Sequence, residues 1–262
     1  MLSNEERKIC RRPQIIEVIC QLRFPEILVI QAQDPFEFQE KIRADYPQYQ
    51  KTGEQGPAQV IDGKKYVPAP IHNYQFISED GLWKLSLTKG FLALSSRGYT
   101  RWEDFAKRLD KVLAAFIQVY RPAYFTRIGL RYVNGFNREK LGLADCSWRE
   151  LIRPAYLGLL QSEELGEKQF SKCEQEVTAA LPGGAKTNIK SGMGLLRKVN
   201  NRTGEAVEEP VFMLDLDLFM DGKVQVNHTA PALNILHANA DSLFRGAVTD
   251  TLLDAMEPFD PN

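Results

Sequence analysis

Apolar and polar residues alternate along several segments of the chain, and this period of two residues predicts β-strands that are buried on one face. In the first such segment, residues 15–24, the even-numbered residues are predicted to point to the core, while Glu17 and Arg23 share the other face. The same alternation predicts strands over residues 73–78, 82–95, 125–136, 170–180, 187–199 and 210–220. We expect the second of these to fold back as a hairpin at Lys89-Gly90.

Apolar residues spaced three and four apart predict a long helix over residues 101–120. Thr100 and Glu103 have the spacing of a capping box at its start, and Pro122 ends it. Further helices are predicted over residues 35–46, 147–160 and 231–256. Residues 48–70, rich in Gly, Gln, Lys and Pro, are predicted to form a loop with one irregular strand.

The order of these elements repeats: strand, helix, several antiparallel strands, long helix. The opening strands also share a tripeptide, Leu22-Arg23-Phe24 in the first and Leu130-Arg131-Tyr132 in the second. We therefore predict an α+β fold of two related halves, residues 13–124 and 125–258, each an antiparallel sheet with helices packed on one face. The first half, closed by the strand over residues 125–136, also fits a ferredoxin-like plan. Because no Gly/Ser-rich or Pro-rich linker separates the halves, we expect one compact unit with a continuous sheet.

Several short motifs resemble the signatures of a sporadically distributed, functionally uncharacterised prokaryotic protein family of similar length. They are PQIIEV at residues 13–18, LRF at 22–24, TRIGLRYVN at 126–134, Tyr99 with Trp102, and the Asp215-x-Asp217 strand. The resemblance covers nearly the whole chain and implies a bacterial protein of patchy distribution. The resemblance implies no activity and identifies no catalytic residue in this sequence.

Charge and composition bear on location and partners. The 262 residues have a formal net charge of −1, which disfavours nucleic acid as a partner, because phosphate binding normally requires a basic excess. No apolar run reaches the length of a membrane span, and the charged residues 1–12 do not lead into a signal-peptide core. The four cysteines have no regular spacing, as expected for reduced thiols. We predict a cytoplasmic protein that does not bind membranes.

Motifs for catalysis or cofactor binding are missing from the sequence. The chain has no nucleophile elbow, no Cys or His pair at zinc-ligand spacing, and three histidines that are far apart. Gly183-Gly184-Ala185-Lys186 lacks the spacing of a phosphate loop, and Gly192-Met193-Gly194 lacks the third glycine of a dinucleotide site. Both are interpreted as glycines of loops or hairpins. We predict no catalytic residue, no metal site and no cofactor.

Charged residues on strand faces are the remaining candidates for a site. Asp215 and Asp217 lie two apart on the strand over residues 210–220, so they share the face opposite its apolar residues. Glu174 and Glu176 have the same spacing on the strand over residues 170–180. The candidate ligand-binding set is completed by Arg127 and Arg131, which share a face of the strand over residues 125–136, and by Arg23, which shares one with Glu17. If their strands are neighbours, they form a ladder of ion pairs; if the sheet curves, they line a polar groove.

Three functions follow from this set. We favour a non-enzymatic binding or interaction protein that uses the charged sheet face, with a protein or a small molecule as partner. The first alternative is a metal-dependent phosphodiesterase or nuclease using the carboxylates of residues 174, 176, 215 and 217. The second is an RNA-binding protein, by analogy with paired ferredoxin-like folds. The carboxylates of an enzyme must converge in one pocket, whereas RNA binding requires clustered Lys and Arg with exposed aromatic residues.

Overall fold

The structure, a computed structural model, describes residues 9–54, 59–61, 64–67, 70–199 and 206–259. The fold is α+β, with a large antiparallel sheet and helices, which confirms the predicted class. The strands are β1 (Ile9–Cys10), β2 (Ile15–Arg23), β3 (Gln48–Glu54), β4 (Gln59–Ile61), β5 (Lys64–Tyr66), β6 (Ile71–Ile77), β7 (Trp83–Leu87), β8 (Phe91–Ser96), β9 (Phe125–Phe136), β10 (Cys173–Ala180), β11 (Lys186–Val199), β12 (Ala206–Val224) and β13 (Pro258–Phe259). The helices are α1 (Leu28–Ala32), α2 (Phe36–Ile42), α3 (Trp102–Tyr120), α4 (Trp148–Leu151), α5 (Thr229–Ala247) and α6 (Asp250–Ala255).

The chain divides into two compact units, each built from segments that are distant in sequence. Unit 1 comprises residues 1–18, 130–219 and 234–262, and unit 2 comprises residues 19–129 and 220–233. In unit 1 the strand order is β10-β11-β12-β9-β2, and β10, β11 and β12 pair in antiparallel register. In unit 2 the order is β9-β2-β8-β7-β6-β3, because β2 and β9 each contribute residues to both units.

The core of unit 2 forms around α3. Its apolar stripe is buried as predicted, and Phe116, with no exposed surface, lies 4.9 Å from Phe24 and 6.4 Å from Phe38 between ring centroids. The predicted capping box is wrong, because the helix begins at Trp102 and Arg101, not Thr100, is its N-cap. The helix ends at Tyr120, and its C-cap Arg121, with a left-handed φ of 46°, turns the chain before Pro122.

The core of unit 1 forms between its sheet and α5. Phe212, Leu214, Leu216 and Leu218 of β12 are buried, as the alternation predicted, which places the intervening residues on the opposite face. The ring of Phe212 packs 5.3 Å from Trp148 of α4, again between centroids. Strict alternation therefore leaves one face of β10–β12 for polar side chains.

Three predicted segments differ from the structure. Residues 48–70 contain β3, β4 and β5 rather than a single irregular strand. The predicted helix over 147–160 is reduced to α4 followed by short 3₁₀ turns, because Pro154 cannot continue an α-helix. The predicted C-terminal helix is two helices, and it breaks where the Thr249 hydroxyl accepts a hydrogen bond from Leu252 N and caps α6.

Within the described residues, no helix is long and apolar enough to cross a membrane.

Candidate functional site

A row of charges with alternating sign crosses four strands of unit 1. In the strand register Glu176 of β10 lies opposite Lys190 of β11, and Lys190 lies opposite Asp215 of β12. Arg131 of β9 then reaches Asp215. We call Glu176, Lys190, Asp215 and Arg131 the charge row. It follows from the strand alternation, since the neighbouring residues of β12 point to the core.

The ion pair between Arg131 and Asp215 is bidentate. Arg131 Nε donates to Asp215 Oδ1 at 2.7 Å, and Nη2 donates to Oδ2 at 2.5 Å. The Asp215 side chain is only 13% exposed and that of Arg131 is 44% exposed. The hydrogen bonds that Arg131 donates to Asp215 raise the pKa of its guanidinium, and the charges of Asp217 and Glu17 act in the same direction. Asp215 therefore takes part in an ion pair, as expected for a ladder of charges on neighbouring strands.

The glutamates of β10 pair with lysines. Glu176 lies 3.3 Å from the Lys190 ammonium, and Glu174 lies 2.9 Å from Lys172. The hydrogen bond from Lys172 lowers the pKa of the Glu174 carboxyl. These groups are largely exposed, so their contribution to folding is small, and they define the electrostatic pattern of the surface.

An open groove of about 570 Å³ lies beside the charge row. Its lining includes Lys190 and Asp215 with the apolar residues Met193, Met213, Leu195, Pro210 and Phe170. Gly192 and Gly194 also line it, and they alternate with Lys190 on the same face of β11, so no side chain fills the surface at these two positions. The groove exists because this part of β11 has no side chains on its outer face.

The backbone requires glycine at position 192 but would accept a side chain at position 194. Gly192 has φ +155°, and a Cβ there would overlap the backbone carbonyl of Cys173 on the paired strand. A Cβ on Gly194 would make an ordinary contact of 3.6 Å with Met213 Cγ. Both belong to a continuous strand, so their interpretation as loop or hairpin glycines is wrong. Two glycines at alternate positions of a predicted strand, on the side of Lys190, were the available signal for a groove.

The other predicted site residues lie in different surroundings. Asp217 is half-buried on β12 and stands opposite Asn188 in the register. Arg23 and Arg127 belong to unit 2. Arg23 Nε donates to Gln21 Oε1 at 2.8 Å, and the Arg127 guanidinium lies over Gly129, where a Cβ would overlap it. Within unit 1, the structure brings Glu174 and Asp217 together with the four members of the charge row.

The cysteine thiols are all free in the structure, and the buried Cys20 is the clearest example of an unreactive one. Burial raises its pKa to about 12, so little thiolate forms at neutral pH. His237 is half-buried on α5, with Nδ1 2.9 Å from the Tyr132 hydroxyl. Among the residues described by the structure, no group of three or more His, Cys, Asp or Glu side chains could hold a metal ion.

We expect calorimetric titration with Mg²⁺ or Mn²⁺ to give no saturable binding that depends on Asp215 and Asp217. The physical reason is that Arg131 occupies both carboxylate oxygens of Asp215, which are the atoms a hard cation would need. The control is the Asp215→Asn, Asp217→Asn double variant. Saturable binding by the wild type that disappears in this variant would contradict the expectation and favour the metal-dependent enzyme.

Comparisons of the chain with protein-family models and with curated protein sequences found no match. The resemblance drawn from the short motifs therefore stays a prediction.

Proposed function

We propose that this protein is a binding or interaction protein that holds a segment of a polypeptide partner in the groove beside the charge row. The observation that carries the proposal is the surface over Gly192 and Gly194, where two adjacent outward positions of a strand have no side chain. Apolar side chains line this surface, and paired charges lie next to it. A groove with an apolar centre and a polar rim has the general anatomy of a protein-binding surface.

The chemistry of the groove favours an extended peptide with an apolar side chain next to charged or polar ones. Met213 lies opposite Gly192 on the outer face and offers apolar contact, and Leu195, which is 64% exposed, lines the groove from the position of β11 next to Gly194. Lys190 and Asp215 offer one charge of each sign and can orient a ligand without attracting either sign strongly. Burial of the apolar contacts would supply the affinity, and the charges would supply the direction and register of the peptide.

The alternatives receive less support from the same contacts. Glu174, Glu176 and Asp215 each lie in an ion pair, whereas a nuclease would need carboxylates that converge on a cation. The cations Lys172, Lys190 and Arg131 are correspondingly balanced by carboxylates, so this face lacks the basic excess that RNA binding requires. Balanced pairs beside an apolar surface support the recognition of a protein segment.

The proposal is tested by selecting displayed random peptides of about 12 residues, which extend over about 40 Å, on the purified protein. The affinities of the enriched peptides are then measured by fluorescence anisotropy. We expect Gly194→Val, which fills the groove without a backbone overlap, to weaken binding about tenfold or more. Lys190→Glu should also weaken it, because the change breaks the ion pair with Glu176 and reverses a charge in the groove.

The matched control is Lys41→Glu, which makes the same charge change on an exposed position of α2 in unit 2. Peptides that bind all four proteins equally bind elsewhere and would refute the proposal. Failure to enrich any peptide whose affinity depends on Gly194 or Lys190 would refute it as well.

We also propose that the chain has a duplicated α+β plan and a cytoplasmic location. The sheet neighbours support the plan, because β2-β8-β7-β6 and β9-β12-β11-β10 each place the opening strand beside the last strand of its own half. The order β9-β2-β8-β7 likewise places the closing strand beside the opening one, in keeping with a ferredoxin-like first half. Four free cysteines are in keeping with a reducing compartment.

A further inference from the structure

A second cavity, of about 480 Å³, lies in unit 2 against one flank of α3. Its basic lining residues are Lys107, Arg108 and Lys111, which occupy one side of the helix because residues three and four apart are neighbours on a helical surface. The remaining lining residues come from the segment after α2, from β7, from the segment before α3 and from the first turn of α3: Asp45, Tyr46, Trp83, Gly98, Thr100 and Asp104. The groove of unit 1 shares none of these residues.

The two carboxylates of this cavity are already bound by cations. Lys111 Nζ lies 2.5 Å from Asp45, and Arg101 Nε donates to Asp104 at 2.8 Å. The hydrogen bond from Arg101 lowers the pKa of Asp104, so this carboxyl stays ionised and paired. Within the described part of the chain, Lys107 and Arg108 form no salt bridge. The cavity therefore has two cationic groups whose charge is not satisfied by a direct pair.

Arg108 is held in place by an aromatic ring. Its Cζ lies 4.5 Å from the centroid of the Trp83 ring, at a distance typical of cation–π stacking. Trp83 is itself buried, with its ring 5.7 Å from Phe105 in the core, so the platform under the guanidinium is fixed. Stacking uses the face of the guanidinium and leaves its N–H groups to donate in the plane, which suits a bidentate oxyanion.

Tyr46 provides the observation that points to a ligand. The side chain is 2% exposed, and the proton of its hydroxyl has no acceptor in the described structure. Burial raises the pKa of this phenol, while the charge of Arg108 and a hydrogen bond from its guanidinium oppose the shift, so the group is a neutral hydroxyl that can donate its proton. Leaving a buried donor unpaired is unfavourable, and an oxyanion held by Arg108 would supply the missing acceptor.

We propose that this cavity binds a phosphate group, with Arg108 and Lys107 neutralising its charge and Tyr46 donating a hydrogen bond to one oxygen. A tetrahedral oxyanion can use the in-plane donors of a stacked arginine, the ammonium of a lysine and a neutral hydroxyl together. The cavity volume leaves space for more than a bare phosphate ion, so the group can belong to a phosphorylated small molecule.

The test is a titration followed by tryptophan fluorescence, because Trp83 lies directly under Arg108. Inorganic phosphate is one arm and adenosine 5′-monophosphate is the other, both at constant ionic strength. We expect saturable binding in at least one arm, weakened about tenfold or more by Arg108→Gln and by Lys107→Gln. Tighter binding of the nucleotide assigns the phosphate group to a larger molecule, and equal affinity assigns the site to the free ion. Lys41→Gln, at an exposed position outside the cavity, is the matched control and should bind as the wild type does.

Tyr46→Phe gives a signature that a merely structural role would not produce. Removing a buried hydroxyl whose proton has no acceptor should leave the thermal midpoint of the ligand-free protein close to that of the wild type. The same change should weaken phosphate binding about threefold to tenfold, which corresponds to one hydrogen bond. Absence of saturable binding in both arms, or affinities that are equal in the wild type and the three cavity variants, would overturn the proposal.

Discussion

Phe116→Ala in α3 should lower the free energy of unfolding by about 3–5 kcal/mol, the range for truncating a buried aromatic residue. The ring has no exposed surface, and its centroid lies 4.9 Å from Phe24, 6.4 Å from Phe38 and 5.4 Å from Tyr120. Alanine would remove these contacts and leave a cavity, which the neighbouring rings can fill only partly because they belong to α2, α3 and the end of β2. The loss combines transfer free energy with the free energy of the cavity.

Urea unfolding followed by circular dichroism measures this change, with Gln118→Ala as the matched control. Gln118 lies two residues further along the same helix and is exposed, so its truncation should change stability by less than about 0.5 kcal/mol. A loss below about 1 kcal/mol for Phe116→Ala would mean that the aromatic cluster around α3 is not the core of unit 2.

Gly192→Ala should cost about 3 kcal/mol or more and disturb the pairing of β10 with β11. A φ of +155° is a region that residues with a Cβ avoid at a cost of about 1–3 kcal/mol. The added Cβ would also overlap the backbone carbonyl of Cys173, and a backbone atom cannot move away by changing a rotamer. The strand β10 would have to shift as a whole, and its hydrogen bonds to β11 would weaken.

Gly194→Ala is the matched control for this change, since it adds the same methyl group two residues away on the same face. Its Cβ would make an ordinary contact with Met213, and alanine is less costly than glycine in a strand, so we expect a change of less than about 1 kcal/mol. Amide hydrogen exchange along residues 173–180 and 186–193 locates the effect. Similar stability and similar protection in the two variants would show that position 192 does not require the positive φ and the missing Cβ of glycine.

Much of the fold could be predicted because one physical signal determined it. In β12 and α3 the apolar residues follow a single period, and burial of one face is then the only arrangement that removes them from water. The hairpin at Lys89-Gly90 was confirmed for a similar reason, since the turn residues interrupt an otherwise continuous strand pattern.

The errors arose where local and long-range interactions compete. Residues 48–54 have little apolar character, yet β3 forms because β6 supplies a complete antiparallel ladder of backbone hydrogen bonds. The break between α5 and α6 depends on Val248 pairing with Ile152, a contact that the helical period of residues 231–256 conceals. A backbone partner nearly a hundred residues away leaves no local signal in the sequence.

Only part of the candidate sites could be predicted from the sequence. The spacing of Asp215 and Asp217 predicted a shared face, and the ion pair with Arg131 followed from the requirement to balance that charge. The cavity of unit 2 was not predicted, because Tyr46, Trp83 and Arg108 come from three elements and each is unremarkable in its own segment. Their combination becomes visible only when the elements pack.

The interleaving of the two units has a consequence for the order in which the protein can be completed on the ribosome. Unit 2 lacks residues 220–233 until the ribosome has synthesised residues 130–219, a delay of about 5–20 s at ordinary rates of translation. Unit 1 contains residues 1–18 and also residues 234–262, which are synthesised more than 200 residues later. The part of β2 that belongs to unit 1, residues 15–18, therefore waits for β9 and β12, which are synthesised more than a hundred residues later. A chaperone that binds nascent extended apolar segments would find its site there before either unit is closed.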